Sequence, residues 1–219
     1  HACCHNPTGV DLAGAGCLKD QEVIREREHV PILDIAYQGV GDGIEEDSAA
    51  VRLFAASGIS FFVSSSFSKS FGLYGERVGA LSIVTESRDV AARVLSQVKR
   101  VIRTNYSNPP THGASIVGAV LASPELRTLW EQELGQMRER IRSMRHAFVS
   151  KLAEKGAARD FSFVARQCGM FSYSGLTAEQ VERLKDDFGI YAVSTGRICV
   201  AALNDNNLDA VTQAIVEVL

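Results

Sequence analysis

Lys69 is the residue of this sequence whose neighbours most clearly favour chemistry. It follows an apolar run, 59–63, which is typical of a buried strand, and Ser66, Ser68 and Arg77 lie close to it along the chain. An amine nucleophile beside short hydroxyl donors and a fixed cation is what a Schiff base with a phosphorylated aldehyde requires. On spacing alone, a polar loop that carries a solvated lysine is an equally good interpretation.

The residues around Lys69 form a longer pattern, S-x-S-K-x-F-G-L-Y-x-E-R-V-G over 66–79. This pattern resembles the pyridoxal-phosphate lysine motif of the class I aspartate and aromatic amino-acid aminotransferases. Four further segments resemble blocks of that family in the same order: HNPTG at 5–9, LDIAYQG at 33–39, NYSNPP at 105–110 and GRICVA at 196–201. The resemblance therefore covers the whole chain.

The family resemblance implies an α/β fold, the pyridoxal-phosphate transferase fold of type I. Residues 1–136 are expected to form the C-terminal part of the large cofactor domain, and residues 137–219 a small α+β domain. The implied activity is transfer of an amino group between aspartate or an aromatic amino acid and 2-oxoglutarate, with pyridoxal 5'-phosphate as cofactor.

Three residues match the family's contacts to the cofactor ring. Asp34 matches the aspartate on the ring nitrogen, where a carboxylate keeps the nitrogen protonated. Tyr37 and Asn6 match the two donors to the phenolate oxygen, and these donors would lower the pKa of the Schiff base. Outside this motif, an aspartate at a strand end is more often a cap or turn former.

The same resemblance assigns the cofactor's phosphate and aldehyde. Ser66, Ser68 and Arg77 match the phosphate ligands, with Arg77 as the bidentate cation. Lys69 is expected to hold the cofactor as a Schiff base and, once displaced by substrate, to move the proton between the substrate's α carbon and the C4' carbon of the cofactor.

Two arginines match the family's substrate contacts, and Asn6 is expected to contact the substrate as well. Arg197 resembles the arginine that binds the α-carboxylate, and Arg103 resembles the one that reaches from a partner subunit to the distal carboxylate. An arginine's planar fork suits a carboxylate, although each would be read as a surface residue without its flanking motif. A homodimer with shared active sites is therefore expected. Gly75 resembles the aromatic aminotransferases at its position, and Asn108 resembles the aspartate aminotransferases. The two residues therefore do not decide which amino-group donor is preferred.

Two alternatives remain at this point. Another enzyme of fold type I, a lyase or decarboxylase, would use the same lysine, although the distal-carboxylate arginine disfavours it. The other alternative is a catalytically incomplete fragment, because the sequence opens at His1 in the middle of a pattern and the family's preceding blocks carry further cofactor contacts.

Composition favours small-molecule chemistry. The 219 residues carry a formal net charge of -3 and 22% charged residues, which gives no reason to expect nucleic acid or an acidic membrane as partner. Five cysteines without C-x-x-C spacing predict neither disulfides nor a metal site and indicate a reducing, cytoplasmic location. A metal site at His1, Cys3, Cys4 and His5 is disfavoured because alternate residues of a strand face opposite sides.

Short apolar strands alternate with helices along the chain, which predicts an α/β sheet. Asn6, Asp34, Tyr37 and Lys69 all follow or end such strands, where open α/β sheets bind ligands. Apolar residues at steps of three and four over 126–152 predict a long helix, with a hinge at Gly135. Beyond it, strands are expected at 161–164, 170–173, 190–193 and 197–201, and Thr177 with Gln180 predicts a capping box.

Overall fold

The computed structural model describes residues 1–12 and 14–219. Two compact units can be separated. The first unit comprises residues 1–3, 12–39 and 43–134, and the second comprises residues 4–11, 40–42 and 135–219. The second unit therefore includes two short segments, 4–11 and 40–42, that lie far before its main part, 135–219, in the sequence. The first of these segments contains Asn6.

A three-stranded sheet forms the centre of the first unit. Its strands are β1 (Ile32–Ile35), β2 (Phe61–Ser66) and β3 (Gly79–Val84), and its helices are α1 (Gly14–Glu26), α2 (Ala49–Ala56), α3 (Arg88–Tyr106) and α4 (His112–Ala122). Strand β1 runs parallel to β2, with Asp34 opposite Ser64, and β2 runs antiparallel to β3. The strands predicted before Tyr37 and on either side of Lys69 are confirmed, and β2 extends as far as Ser66, whereas residues 2–5, expected to end a strand before Asn6, form none.

The core of the first unit lies between α2 and the sheet. The rings of Phe54 and Phe61 are 5.7 Å apart and both are buried, as are Ile35 and Val63. The apolar residues of β2 alternate with more exposed ones, because successive side chains of a strand point to opposite faces. This packing fixes the end of β2, from which the loop 67–78, here named the Lys69 loop, departs.

Gly39 is a position that tolerates no side chain. Its φ is +89°, and a Cβ there would overlap Leu134 Cδ2 and lie 3.3 Å from Ile44 Cγ1. We expect Gly39→Ala to lower the free energy of unfolding by about 2–4 kcal/mol, the sum of overpacking and the left-handed backbone.

Denaturant unfolding followed by circular dichroism measures that loss, and Gly58→Ala is the matched control. Gly58 also has a positive φ, +76°, but a Cβ there meets nothing within 4 Å. The control isolates the backbone term, about 1 kcal/mol. Equal losses in the two variants would contradict the packing argument.

The second unit is an α+β arrangement around a two-stranded sheet. Its elements beyond the long helix α5 (Pro124–Glu154) are α6 (Ser162–Ala165), β4 (Phe171–Tyr173), α7 (Ala178–Phe188), β5 (Arg197–Cys199) and α8 (Leu208–Val218). Strands β4 and β5 are antiparallel. The predicted capping box is confirmed: Thr177 Oγ1 accepts from Gln180 N, and Gln180 Oε1 accepts from Thr177 N.

Three further local predictions are wrong. Residues 161–164 were expected to be a strand, but Phe161 caps α6 and residues 162–164 lie in it; residues 190–193 form no strand. Helix α5 is continuous through Gly135, so the expected interruption is absent, although the division between the two units does fall between Leu134 and Gly135. The loss of about 1 kcal/mol that glycine causes in a helix is small beside the burial of Leu134, Ile141 and Phe148 on the same helix.

Among the described residues, no helix combines the length and the apolar character that crossing a bilayer requires.

Candidate active site

The first unit holds seven of the nine residues that the sequence singles out. Asp34 is the third residue of β1, and its backbone oxygen accepts from Ala2 N at 2.8 Å. Its side chain is half exposed, and His1 Nδ1 lies 4.0 Å from Asp34 Oδ2. Tyr37 follows two residues beyond β1 and is buried.

Lys69 lies against Tyr37. The Nζ atom is 4.8 Å from the centroid of the Tyr37 ring and 5.7 Å from that of Tyr74. The parallel register explains this proximity. Ile35 is opposite Ser65, so the segments that follow β1 and β2 leave the sheet at the same edge. The structure therefore brings together an amine and a phenol that are 32 positions apart in the sequence.

A hydrogen-bonded turn holds the loop between β2 and Lys69. Ser66 Oγ accepts from Ser68 N at 3.2 Å, and Ser68 is buried. Phe71 N donates to Phe67 O and Gly72 N to Lys69 O. These bonds limit the positions that the Lys69 side chain can reach.

An aromatic pair supports the far side of this loop. Trp130 Nε1 donates to Ser70 O at 2.6 Å, and the Trp130 ring stacks on Phe71 at a centroid distance of 4.5 Å. In the sequence, Trp130 is one of the apolar residues at steps of three and four that predict the long helix. Its role in holding the loop could not be read from a pattern, because the two segments are 60 residues apart.

Arg77 and Arg103 are both exposed. Arg77 has a φ of +53° and donates through Nη1 to Tyr74 O at 3.0 Å, so its guanidinium lies on the Lys69 loop. Arg103 lies in the last turn of α3, and its backbone oxygen accepts from Ser107 N.

Asn6 and Arg197 belong to the second unit and contact each other. Arg197 Nη1 donates to Asn6 Oδ1 at 3.0 Å, and its guanidinium lies 4.7 Å from the ring centroid of Phe171. Arg197 opens β5 opposite Tyr173 of β4. The Arg197 guanidinium is thus held by the Asn6 amide and by the face of the Phe171 ring. Asn6 and Arg197 are both partly exposed.

A second arginine of this unit, Arg145, is almost fully buried, with 2% of its surface exposed. It donates to the backbone oxygens of Val164, Cys168, Gly169 and Phe171 and to Ser172 Oγ. Burial holds the pKa of Arg145 below its usual value. The nearby Cys168 and Cys4 act in the opposite direction but offset only part of this effect. The sequence analysis did not single out this residue.

The family model described as aminotransferase class I and II matches residues 1–215. An aspartate aminotransferase of Pseudomonas aeruginosa is 77% identical over all 219 residues, and an aromatic-amino-acid aminotransferase of Escherichia coli is 48% identical. The crystal structure of an aromatic-amino-acid aminotransferase from Burkholderia pseudomallei, covalently bound to pyridoxal phosphate, superposes over 100% of the chain with a TM-score of 0.98 and 70% identity.

These matches cover all of this chain but only 55% of each of those three proteins. The chain thus spans about half the length of the relatives it matches. The α/β fold of type I that the sequence predicts is confirmed by the likeness to these structures. The chain belongs to the class I and II aminotransferase family.

Proposed function

We propose that this chain is part of a pyridoxal-phosphate-dependent aminotransferase that exchanges an amino group between aspartate or an aromatic amino acid and 2-oxoglutarate. The observation that carries the proposal is the position of Lys69 Nζ, 4.8 Å from the Tyr37 ring, at the sheet edge beside the strand that carries Asp34. The names of the relatives, which include aspartate and aromatic aminotransferases, support both donor classes.

The side chains of the first unit fit this cofactor chemically. An amine suits its aldehyde, a carboxylate suits its pyridine nitrogen, and a phenol suits its phenolate oxygen. Lys69, Asp34 and Tyr37 supply these groups at one edge of one sheet. Bound pyridoxal phosphate supplies an electron sink that stabilises negative charge on the substrate's α carbon.

Each residue then has a specific task. With the cofactor bound, the Asp34 carboxylate would hold the proton on the pyridine nitrogen by Coulomb attraction, and Tyr37 would donate to the phenolate oxygen, a role that the family motif also assigns to Asn6. Lys69 would hold the cofactor through its Nζ atom, and the free amine would accept the proton from the substrate's α carbon.

Phosphate binding is assigned to the Lys69 loop. Ser66 and Ser68 offer hydroxyl donors, and Arg77 offers a guanidinium whose fork matches two phosphate oxygens. The turn that joins Ser66 Oγ to Ser68 N orders this segment before any ligand binds.

Arg197 is proposed to bind the α-carboxylate of amino-acid and 2-oxo-acid substrates in a bidentate pair. Its contacts with Asn6 and Phe171 orient the guanidinium in advance, which reduces the entropy lost on binding. Arg103 is proposed to bind the distal carboxylate across a homodimer interface, in keeping with its exposed position on α3. The dimer and a cytoplasmic location belong to this proposal.

Arg197→Lys tests the substrate assignment. Lysine keeps the charge but loses one of two parallel hydrogen bonds, worth about 1.5–3 kcal/mol, so we expect kcat/KM for aspartate and tyrosine to fall about 10- to 100-fold. The fall is expected mainly in KM, because the carboxylate contact is made equally in the ground state and the transition state.

The assay uses the complete product of the gene, with 2-oxoglutarate as acceptor, and Arg159→Lys is the matched control. Arg159 also lies against a phenylalanine, 4.8 Å from the ring centroid of Phe161, and has no assigned part in the site. Unchanged KM values in Arg197→Lys, or equal changes in both variants, would contradict the assignment. Decarboxylated or eliminated products in place of the 2-oxo acid would instead favour a lyase.

A further inference from the structure

A cluster of two thiols and one carboxylate lies in the second unit and includes none of the residues assigned to transamination. Cys4 Sγ, Cys168 Sγ and a carboxylate oxygen of Asp11 all lie within 4.8 Å of one another. Neither Cys4 nor Cys168 forms a disulfide. Three groups that ligate soft or borderline metal ions thus converge from positions far apart in the sequence.

Backbone contacts bring the segment 4–11 against the segment that carries Cys168. Cys168 N donates to Gly9 O at 2.9 Å. Gly169 has a φ of +76°, and a Cβ at that position would lie 2.6 Å from Cys4 Cβ. The absence of a side chain at Gly169 therefore allows the Cys4 thiol to approach residue 168.

The Asp11 carboxylate is already oriented toward both cysteines. Asp11 Oδ2 accepts from Cys4 N at 2.6 Å and from Cys168 Sγ at 3.1 Å, while Oδ1 accepts from His5 N at 2.9 Å. A thiol that donates to a carboxylate marks the place where a cation could replace the proton. The hydrogen bonds from the backbone would keep Asp11 in position when that exchange occurs.

The distances are close to those of a metal centre. Two atoms bound to one tetrahedral Zn²⁺ at about 2.0–2.3 Å lie about 3.3–3.8 Å apart, so closure by about 1 Å suffices. Three protein ligands leave a fourth coordination position, which is typical of an open zinc site. Asp11 and Cys168 line a cavity of about 580 Å³ in the second unit, which provides both an entry path and room for a water ligand.

The local charge is also suitable. Two thiolates and a carboxylate carry -3, which a divalent ion reduces to -1. The guanidinium of Arg145 donates to the backbone oxygens of Cys168 and Gly169 at 3.1 and 2.6 Å, so a positive charge is fixed beside the cluster. The complex would therefore be close to neutral, which reduces the cost of its partial burial.

We propose that Cys4, Asp11 and Cys168 form a binding site for Zn²⁺ or a similar thiophilic divalent ion. The sequence predicts no metal site, and Cys3 and Cys4 are candidate ligands there only together with their neighbours His1 and His5. Cys168 and Asp11 were missed because the three ligands are separated by 7 and 157 positions, which matches no local zinc motif.

The test uses the complete gene product, reduced with a phosphine and freed of metal by a chelator. Co²⁺ is titrated in as a spectroscopic probe, and Zn²⁺ affinity is then measured by calorimetry. We expect one Co²⁺ per chain with the intense visible bands of four-coordinate cobalt, displaced by one equivalent of Zn²⁺. Absence of these bands in the parent protein would overturn the proposal.

Variants locate the ion. Cys168→Ala is expected to weaken Zn²⁺ binding by about 100-fold or more, and Asp11→Asn by at least about 10-fold, because loss of even an outer-shell partner costs 10- to 100-fold. Cys199→Ala is the matched control, since Cys199 is an exposed free thiol of the same unit. Circular dichroism checks that each variant folds. Cys168→Ser is used instead if Cys168→Ala does not fold.

Equal affinity in the parent and Cys168→Ala proteins, or loss of binding in Cys199→Ala, would show that the ion binds elsewhere. A Cys4–Cys168 disulfide that forms with hydrogen peroxide in a protein that binds no Zn²⁺ would also overturn the proposal. That result would assign the pair to thiol oxidation.

Discussion

Lys69→Ala is expected to lower the rate at which aspartate and tyrosine are transaminated by about 10⁴-fold or more. A positioned acid–base group contributes about 10²- to 10⁴-fold, and Lys69 also provides the covalent attachment of the cofactor in our proposal. The loss should appear in kcat, because the residues proposed to bind the substrate carboxylates are unchanged. Steady-state assays with 2-oxoglutarate measure it.

Lys19→Ala is the control for that variant. Lys19 is an exposed lysine of α1 in the same unit, so its removal changes the net charge equally without touching the Lys69 loop. Its activity is expected to equal that of the parent protein. An active Lys69→Ala variant would leave the proposed mechanism without its central group.

Arg145→Met is expected to lower the free energy of unfolding by about 3–5 kcal/mol, near the upper end for single substitutions. The guanidinium donates to four backbone oxygens and to Ser172 Oγ, and methionine would remove this donor from each of them, although Val164 O still accepts from Gln167 N. Each buried acceptor without a partner costs about 1–3 kcal/mol, and relaxation of the loop recovers part of the sum.

Hydrogen exchange localises this effect. Amides of residues 164–172 are expected to lose protection in Arg145→Met before those of the first unit do, because the lost bonds all end in that segment. The control is Arg166→Met, an exposed arginine that donates to Ser162 Oγ, for which we expect a change within about 0.5 kcal/mol. Equal destabilisation by both variants would refute the account of Arg145.

Much of the first unit could be predicted because its pattern is local. The apolar run before Lys69 indicates β2, and the polar residues at the ends of β1 and β2 indicate the edge where ligands bind. The parallel register then brings Lys69 and Tyr37 into contact. Here local propensity and tertiary structure agree.

The strand predicted at 161–164 failed because side-chain hydrogen bonds decide the local structure. Asp160 accepts from both the backbone N and the Oγ of Ser162, which starts a helical turn, and Phe161 and Val164 are buried at a spacing of three. An apolar run of four residues cannot distinguish a strand from such a turn.

The strand predicted at 190–193 failed for a different reason. Gly189 ends α7 with a φ of +66°, and Ile190 N donates back to Leu184 O, so these groups complete the helix. Tyr191 is 81% exposed and therefore contributes little to a core.

Contacts between distant segments lay outside the reach of sequence patterns. Arg145 follows Met144 on a helix whose charged residues are mostly exposed, yet it is buried and donates to acceptors in residues 164–172. Cys4, Asp11 and Cys168 likewise meet only after the second unit has folded. The burial and the partners of such charged and thiol side chains are determined by tertiary packing. Their positions in the sequence follow no periodic pattern that would predict them.

Identification of the lysine that binds pyridoxal phosphate tests the central claim most directly. The complete gene product and the 219-residue chain are each incubated with pyridoxal phosphate, reduced with borohydride, digested and analysed by mass spectrometry. We predict a pyridoxyl group on the peptide that contains Lys69 in the complete product, and its loss when aspartate is supplied before reduction. Labelling spread over exposed lysines such as Lys19 and Lys99, with Lys69 unmodified, would contradict the proposed function.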